Sequence, residues 1–390
     1  MKHISDIKHK NKQDIIQLLY KKHNMSKKRI AIELELSPSV ITKLCTELLE
    51  EGIILESEPI KTKKAGRKEI EIQINPAFKK CFGIVMNHKN TTILLTDMNL
   101  NVLYQKEITT DSNAKKHLDT MINLLSEVIN EMKLDRKEIL GIGISIKGNT
   151  DGIYAYFGIW DYKVNVKDYI EENIGIPVSL DNGIRCSAML EQLHCMDNNF
   201  IFIKYMEPGI GGAIVQNGEI GLGETHSILD FGHLIVDQNG DYCSVCKRKG
   251  CLENTISFEK MIAYVKENFS YANFPVLYNI CEGEANKITI QTMIESAENG
   301  CIKINRLFKK SADYFAMCIV NTYALLDTKK IIVIGDLFSS ERYLHYFKSA
   351  IYEYQLTELY QNIEIHEHEN ELLSAIVLAL NTFLFHGIVK

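Results

Sequence analysis

The sequence predicts a mixed α/β protein, with a small helical head ending in a strand hairpin and a body in which one strand-rich pattern occurs twice. Three observations carry this. Apolar residues recur at helical spacing three times before residue 52, then switch to strict alternation at 69–74. From residue 82 onward, short apolar runs of strand length alternate with long amphipathic stretches. The 390 residues, 46% hydrophobic and 24% charged, suffice for two or three domains with a sizeable core.

The head comes first. Lys12 to Lys22 places Ile15, Ile16, Leu18 and Leu19 on one helical face. Ser26 is placed to cap a second helix with Ile30, Ala31 and Leu34 inside. After the break at Glu35–Pro38, Ser37 is the N-cap of a third helix, Pro38 suits its first turn and Gly52 ends it. Val40, Ile41, Leu44 and Leu48 form its apolar stripe, leaving Ser39, Thr42, Lys43 and Thr46 on the other side. Ile53–Leu55 and the alternating Glu69–Ile74 read as a hairpin around the basic segment EPIKTKKAGRK. Short helix, tight turn, capped helix and basic hairpin make a winged helix-turn-helix, whose third helix enters the major groove by its N-terminal end. Ser37, Ser39, Thr42 and Lys43 lie at that end. Glu47, Glu50 and Glu51 crowd the other, where they would repel phosphates. The wing cations Lys63, Lys64, Arg67 and Lys68 are placed to follow phosphates or enter a minor groove. The plainer alternative is a three-helix bundle with a solvated loop.

Charge supports the same division. The net charge of −6 argues, taken whole, against nucleic-acid binding. Residues 1–75, however, carry 15 Lys and Arg against 11 Asp and Glu, leaving 29 against 39 for the rest. A basic head on an acidic body suits a polyanion-binding module, although a merely solvated basic face gives the same count. The first residues, MKHISDIKHKNKQD, hold no apolar run of a secretion signal. The apolar stretch Leu372–Phe385 is interrupted by Asn381 and Thr382 and falls short of the ~20 residues of a membrane span. Most of the ten cysteines stand singly in apolar surroundings, and three cluster at 243, 246 and 251. Buried thiols plus a metal site in a reducing cytoplasm fit that distribution.

The body reads as three strands (Phe82–Met86, Thr92–Thr96, Val102–Thr109), a helix (Lys116–Met132) and the strand Ile139–Ser145. A second cycle starts at Phe200–Tyr205 and Gly211–Gln216 and ends with a long helix around 302–325 and the strand Lys330–Gly335. This is the layout of the duplicated ribonuclease-H-like, actin and sugar-kinase two-lobe fold. The expected boundaries are 1–75 for the head, 76–195 for the first lobe and 196–390 for the second.

Within the second lobe, His233, Cys243, Cys246 and Cys251 follow H-x9-C-x2-C-x4-C spacing. One imidazole and three thiolates satisfy tetrahedral zinc with no open position, the pattern of a structural Zn2+ site. Closely spaced free cysteines, or a stand-alone nucleic-acid-binding zinc module, are the alternatives.

The stretch Gly232–His233, Gly240, Cys243 and Gly250-Cys251-Leu252-Glu253 resembles the zinc signature of the ROK family of repressors and sugar kinases, GHxxxxxxGxxCxCGxxGCLE. One extra residue stands between the first two cysteines. Gly141-Ile142-Gly143-Ile144, Pro177-Val178, Asp181-Asn182, Gly209-Ile210-Gly211-Gly212 and Asn217-Gly218 match further family segments. The resemblance covers nearly the whole chain, and the head, basic wing and body stand in the order of the family's repressors.

The resemblance also implies where kinase parts should be, and the chain departs from each. Where family kinases have DxGGT, residues 85–89 read Val-Met-Asn-His-Lys. The GTGIGG phosphate loop is Glu207-Pro208-Gly209-Ile210-Gly211-Gly212, with a carboxylate where phosphate would come. The general base of the END-type motif is replaced by Gly183, which takes no proton. The glycine pair of the adenosine pocket is Gly335-Asp336. Phosphoryl transfer needs these parts together, so no enzyme activity is expected.

The family's sugar-contacting positions are better kept. Asn182, His233 and Glu253 remain, and the glutamate of GExGH is Asp230. Carboxylates and an amide both suit sugar hydroxyls, which donate and accept. Structural hydrogen bonding around the zinc loop is the alternative role for Asn182, Asp230 and Glu253. Trp160 and Tyr162 are candidates for stacking on a sugar ring or for core packing. The expectation is a cytoplasmic, non-enzymatic repressor of carbohydrate genes, with a duplex DNA operator and a sugar effector as partners. It is expected to be a homodimer or tetramer, with no membrane contact. A sugar kinase carrying a DNA-binding domain, or a ligand-independent DNA-binding regulator, are the rivals.

Overall fold

The structure is a computed structural model that describes all residues except 1–3, 58–69, 196, 208, 225–228, 329, 367–369 and 388–390. The chain forms two compact units, Met1–Met196 with Asn370–Lys390, and Asp197–Glu369.

In the first unit, the head consists of α1 (Ile4–Lys22), α2 (Lys27–Glu33) and α3 (Pro38–Glu50), with strands β1 (Met25–Ser26), β2 (Ile54–Glu56) and β3 (Glu71–Ile74). Ser26 and Ser37 cap α2 and α3, their hydroxyls accepting from the Arg29 and Val40 amides. Gly52 takes φ +76, as a chain leaving a helix abruptly for a strand requires. β3 pairs antiparallel with both β2 and β1, so the hairpin gains a third strand that the sequence did not suggest. The apolar stripe of α3 runs through Ile41, Leu44, Cys45 and Leu48, whereas Val40 is 38% exposed. The acidic end of α3 has partners that the sequence reading did not name. Glu47 is held by Lys8 and Lys12 at 2.8 and 2.9 Å, and Glu51 by Lys12 at 2.6 Å. These carboxylates clamp α3 to α1. Hydrogen bonds from Lys8 and then Lys12 lower the Glu47 pKa to about 2.

The first lobe follows with β4 (Lys80–Met86), β5 (Asn90–Asp97), β6 (Val102–Thr109), α4 (Ala114–Glu131) and β7 (Ile139–Ile146). Small strands β8 (Asn149–Thr150), β9 (Tyr154–Tyr156) and β10 (Val164–Asn165) form their own sheet. After α5 (Lys167–Ile174) come β11 (Val178–Asn182) and α6 (Gly183–His194). The main sheet runs β11-β7-β4-β5-β6, antiparallel from β4 through β5 to β6 and parallel from β4 through β7 to β11.

The second unit contains β12 (Phe200–Met206), β13 (Gly209–Gln216) and β14 (Glu219–Ile220), then α7 (Leu252–Ile256), α8 (Phe258–Glu267), α9 (Pro275–Ile280), α10 (Ile290–Glu298) and α11 (Ile302–Leu326). It closes with β15 (Lys330–Gly335), α12 (Glu341–Glu353), α13 (Thr357–Gln361) and β16 (Ile363–His366). Its sheet, β14-β13-β12-β15-β16, has the order and directions of the first, so the expected duplication is present. Phe315 on α11 centres its core, packed against Tyr205, Phe231, Phe338 and Phe347 at 5.3–5.7 Å between ring centroids.

One boundary departs from the expected 196–390. The last helix, α14 (Glu371–Ala379), returns to the first unit. Gly83 on β4 and Gly143 on β7 make the room: a Cβ on Gly143 would lie 1.9 Å from the Ala375 carbonyl oxygen. Residues Leu380–Phe385 continue α14 as a π-helical turn against α1, with Phe385 edge-on to Tyr20 at 5.6 Å. Among the described residues, no helix is long and apolar enough to cross a membrane.

Candidate functional site

The four predicted metal ligands come together in the second unit. Ligand atoms of His233, Cys243, Cys246 and Cys251 all lie within 4.8 Å of one another. The turn Phe231–His233 brings the imidazole in, and the segment 237–251 wraps the thiols. Tight backbone bonds hold that wrap: Cys243 N to Arg248 O at 2.8 Å, Lys247 N to Cys243 O at 3.0 Å, and Gly250 N to Asp241 O at 2.9 Å. Gly250 sits at φ +65, and a Cβ there would fall 1.5 Å from the Asp237 carbonyl oxygen. Only glycine fits.

The chemistry of this cluster suits a cation. His233 Nδ1 is buried without a hydrogen-bond partner, an unusual and costly state for a ring nitrogen. Burial, with the neighbouring thiols, pushes Cys251 up to about 12. Burial also opposes ionisation of Cys246, but hydrogen bonds from Arg248 and the other thiols bring it down. A divalent ion reverses the penalty, deprotonating the thiols and engaging the imidazole. The residues fit structural zinc, which they would hold in a closed shell.

The predicted sugar contacts divide between the units. Asn182, in the first, caps α6: its Oδ1 accepts from the Ile184 amide at 2.8 Å and its Nδ2 donates to the Gly148 carbonyl at 2.8 Å. The amide keeps one further N–H and one acceptor lone pair. Beside it, Asp181 receives Arg185 Nε at 2.6 Å. In the second unit, Asp230 is exposed and its carboxylate makes no hydrogen bond or ion pair among the described residues. Glu253 enters the glycine loop, its Oε2 accepting from the Ile210 amide at 3.0 Å. A Cβ on Gly209 would lie 2.4 Å from that oxygen, so the loop must be glycine for the carboxylate to approach.

The same geometry bears on the kinase parts. The Ile210 amide, on the expected phosphate loop, is already engaged by a carboxylate. In the first lobe, residues 87–89 form the β4–β5 turn, closed by Asn87 N to Asn90 O at 2.9 Å. His88 packs on Phe157 at 5.1 Å instead of leaving open glycine amides. At Gly183 there is room, since the nearest atoms to a Cβ are 3.6 Å away. Trp160 is core: it is 3% exposed, sits edge-on to Phe157 at 5.0 Å, and donates Nε1 to the Asp111 carbonyl. Tyr162 is exposed.

On the head, Ser37, Ser39, Thr42 and Lys43 are all exposed on the first two turns of α3. The Ser37 and Ser39 hydroxyls are 3.0 Å apart, and Thr42 donates to the Pro38 carbonyl at 2.7 Å, leaving oxygen lone pairs outward. The wing residues Lys63, Lys64, Arg67 and Lys68 lie outside the described residues.

The sequence profile of the ROK family matches residues 81–380. The DNA-binding transcriptional dual regulator NagC of Escherichia coli (strain K12) is 21% identical over 352 residues, 87% of this chain and 83% of that protein. The xylose repressor of Caldicellulosiruptor bescii is 21% identical over 369 residues, covering 92% and 91%. A solved ROK family transcriptional regulator, a homolog of the E. coli MLC protein, superposes with a TM-score of 0.77 at 21% identity, covering 98% of both chains.

Proposed function

This chain belongs to the ROK family, and from that premise we propose that it is a sugar-responsive transcriptional repressor without kinase activity. Its head is a winged helix-turn-helix that reads duplex DNA with Ser37, Ser39, Thr42 and Lys43, while Lys63, Lys64, Arg67 and Lys68 follow the phosphates. Its effector is a sugar or sugar derivative contacted by Asn182, Asp230, His233 and Glu253. Structural Zn2+ on His233, Cys243, Cys246 and Cys251 keeps the sugar-facing loop in shape. It works in the cytoplasm as a homodimer or tetramer, because paired heads on a two-fold operator need paired chains.

The observation that carries this reading is the exposed polar N-terminal end of α3, on a head that shares one compact unit with Asn182. A route from effector to head lies within that unit. Asn182 caps α6, and Met189, Gln192 and Leu193 near the other end of α6 line one small gap with Gln17 and Lys21 of α1. A ligand shifts DNA affinity only by its differential affinity for two arrangements, and ~100-fold preference supplies about 2.7 kcal/mol.

The test is a DNA-binding titration against the chain's own upstream region with a panel of sugars, beside a coupled ATP assay. One sugar should lower DNA affinity with no turnover. Turnover supports the kinase reading instead. A ligand-independent regulator is the second reading, favoured by the internal hydrogen bonds of Asn182 and Glu253. In that case no sugar changes DNA affinity.

A further inference from the structure

The second unit contains a cavity of about 590 Å³ that neither the zinc ligands nor the sugar-contacting positions explain. One wall is the segment Asp237–Asp241 of the proposed zinc loop, and the others are α7, α8 and α11. Lys303, Arg306 and Lys310 of α11 point into it at i, i+3 and i+7 spacing, which places them on one helical face. Lys260 of α8 joins them. All four cations are exposed, and none forms an ion pair among the described residues. Lys303 donates to Asn273 Oδ1 at 2.6 Å, and Lys310 lies over the Tyr314 ring at 5.5 Å. Against them stand two lining carboxylates, Asp237 and Asp241, so the wall carries two positive charges in excess. That excess sits in a body, residues 76–390, with 29 basic against 39 acidic residues. Like charges gathered around a concavity repel one another, and a bound anion relieves that cost. The floor is apolar, made by Ile256, Met261 and Leu307.

We propose that this cavity binds a phosphorylated small metabolite, a phosphate-ester dianion on a compact organic body. The surplus of two charges matches a phosphate dianion. A guanidinium flanked by ammonium groups gives forked and point-charge contacts to its oxygens, and the volume is that of a small-molecule site. The carbon skeleton lies over Met261 and Leu307. The site is wired to the zinc loop through the backbone. The Asp241 carbonyl accepts from both the Gly250 amide and Asn254 Nδ2, and Asn254 neighbours Glu253 on α7. Occupancy of the cavity therefore bears on the segment that carries Cys251 and Glu253, making it a second effector input. That regulatory role rests on the proposed sugar response; binding to the cavity does not.

The experiment is isothermal titration of the full-length, metal-replete protein with glycerol 3-phosphate and with inorganic phosphate, at constant ionic strength. Glycerol 3-phosphate should bind once per chain and more tightly than inorganic phosphate. Combined Arg306→Ala and Lys310→Ala should weaken it about tenfold or more. Lys309→Ala, which removes one positive charge from the same helix outside the lining, should leave it unchanged. Asp230→Ala should also leave it unchanged, separating this site from the sugar response. Lack of saturable binding, or equal binding in the Arg306 and Lys310 variant, overturns the proposal. So does an inorganic phosphate affinity equal to that of the ester. If the variant instead changes the oligomeric state or the effector-free DNA affinity, the surface belongs to a second chain or to nucleic acid, and the proposal fails.

Discussion

The two lobes share strand order and direction, yet the turns that the family resemblance assigns to phosphate are filled in different ways. In the first, the β4–β5 turn, Asn87-His88-Lys89, holds no glycine, and the His88 side chain packs over Phe157. In the second, the glycines of β13 remain, but Glu253 has taken the Ile210 amide, and Gly209 is needed for that carboxylate to approach. The same residue type thus serves opposite ends. A glycine loop is evidence of close backbone approach, and what approaches must be read from the structure. Here it is the chain's own carboxylate, Glu253, on the Ile210 amide.

The largest expected effect sharpens the contrast between the lobes. Cys251→Ser or Cys243→Ser should take metal content from about one ion per chain to about zero, measured by elemental analysis, because a closed shell tolerates no missing ligand. The second unit should lose thermal stability while the head keeps its hydrogen-exchange protection. Full zinc occupancy in both variants breaks the assignment.

Next comes the wing. Replacing Lys63, Lys64, Arg67 and Lys68 with Ala should weaken binding to all duplexes and reduce the salt slope by up to ~3.6, at ~0.9 per phosphate contact. Thr42→Ala or Lys43→Ala should change sequence preference instead, by about 1–3 kcal/mol at the base contacted. An unchanged salt slope in the wing variant removes the wing from the interface.

Restoring a base alone tests whether the phosphate loops are truly closed. Gly183→Asp has room at its Cβ, so the variant should fold. It should still turn over no ATP in a coupled assay, since residues 85–89 still lack the glycines of a phosphate loop and Glu207-Pro208 still replace its first two residues. Measurable turnover by this variant would mean that the loops still admit nucleotide.

The smallest effect concerns the head. The Glu47 pKa lies near 2 in the fold, against an ordinary 4.5. A lowered value contributes stability above about pH 4.5 that is lost as pH falls toward 2. Hydrogen exchange of α1 and α3 should therefore accelerate across that window, and Glu47→Gln should flatten the change. A variant that behaves like the parent sinks the clamp.

Much of this was legible in the residues, for physical reasons. Caps, helix faces and strand periods are local, so Ser26, Ser37, four strands of the first five-stranded sheet and three of the second were readable, while the short β11, β14 and β16 were not. The metal cluster was readable because its ligands lie close in sequence. Long-range pairing was not. Nothing local announces that Lys8 and Lys12 reach Glu47 and Glu51, that β1 pairs with β3, or that α14 returns to β4 and β7. The glycines at 83 and 143 were the available signal for that return. The cationic cavity left a trace in the spacing of Lys303, Arg306 and Lys310, but only the fold brings Lys260 and the zinc loop to them.

The central claim is that sugar binding controls DNA binding without phosphoryl transfer. The most direct measurement is isothermal titration of the purified protein with a sugar panel, with and without ATP, beside a DNA-binding assay on the same samples. The expected result is one sugar that binds equally well with or without ATP, lowers DNA affinity and yields no phosphorylated product, with the DNA response abolished in Glu253→Ala and Asp230→Ala. ATP-dependent phosphorylation, or a sugar that binds and leaves DNA affinity unchanged, would contradict it.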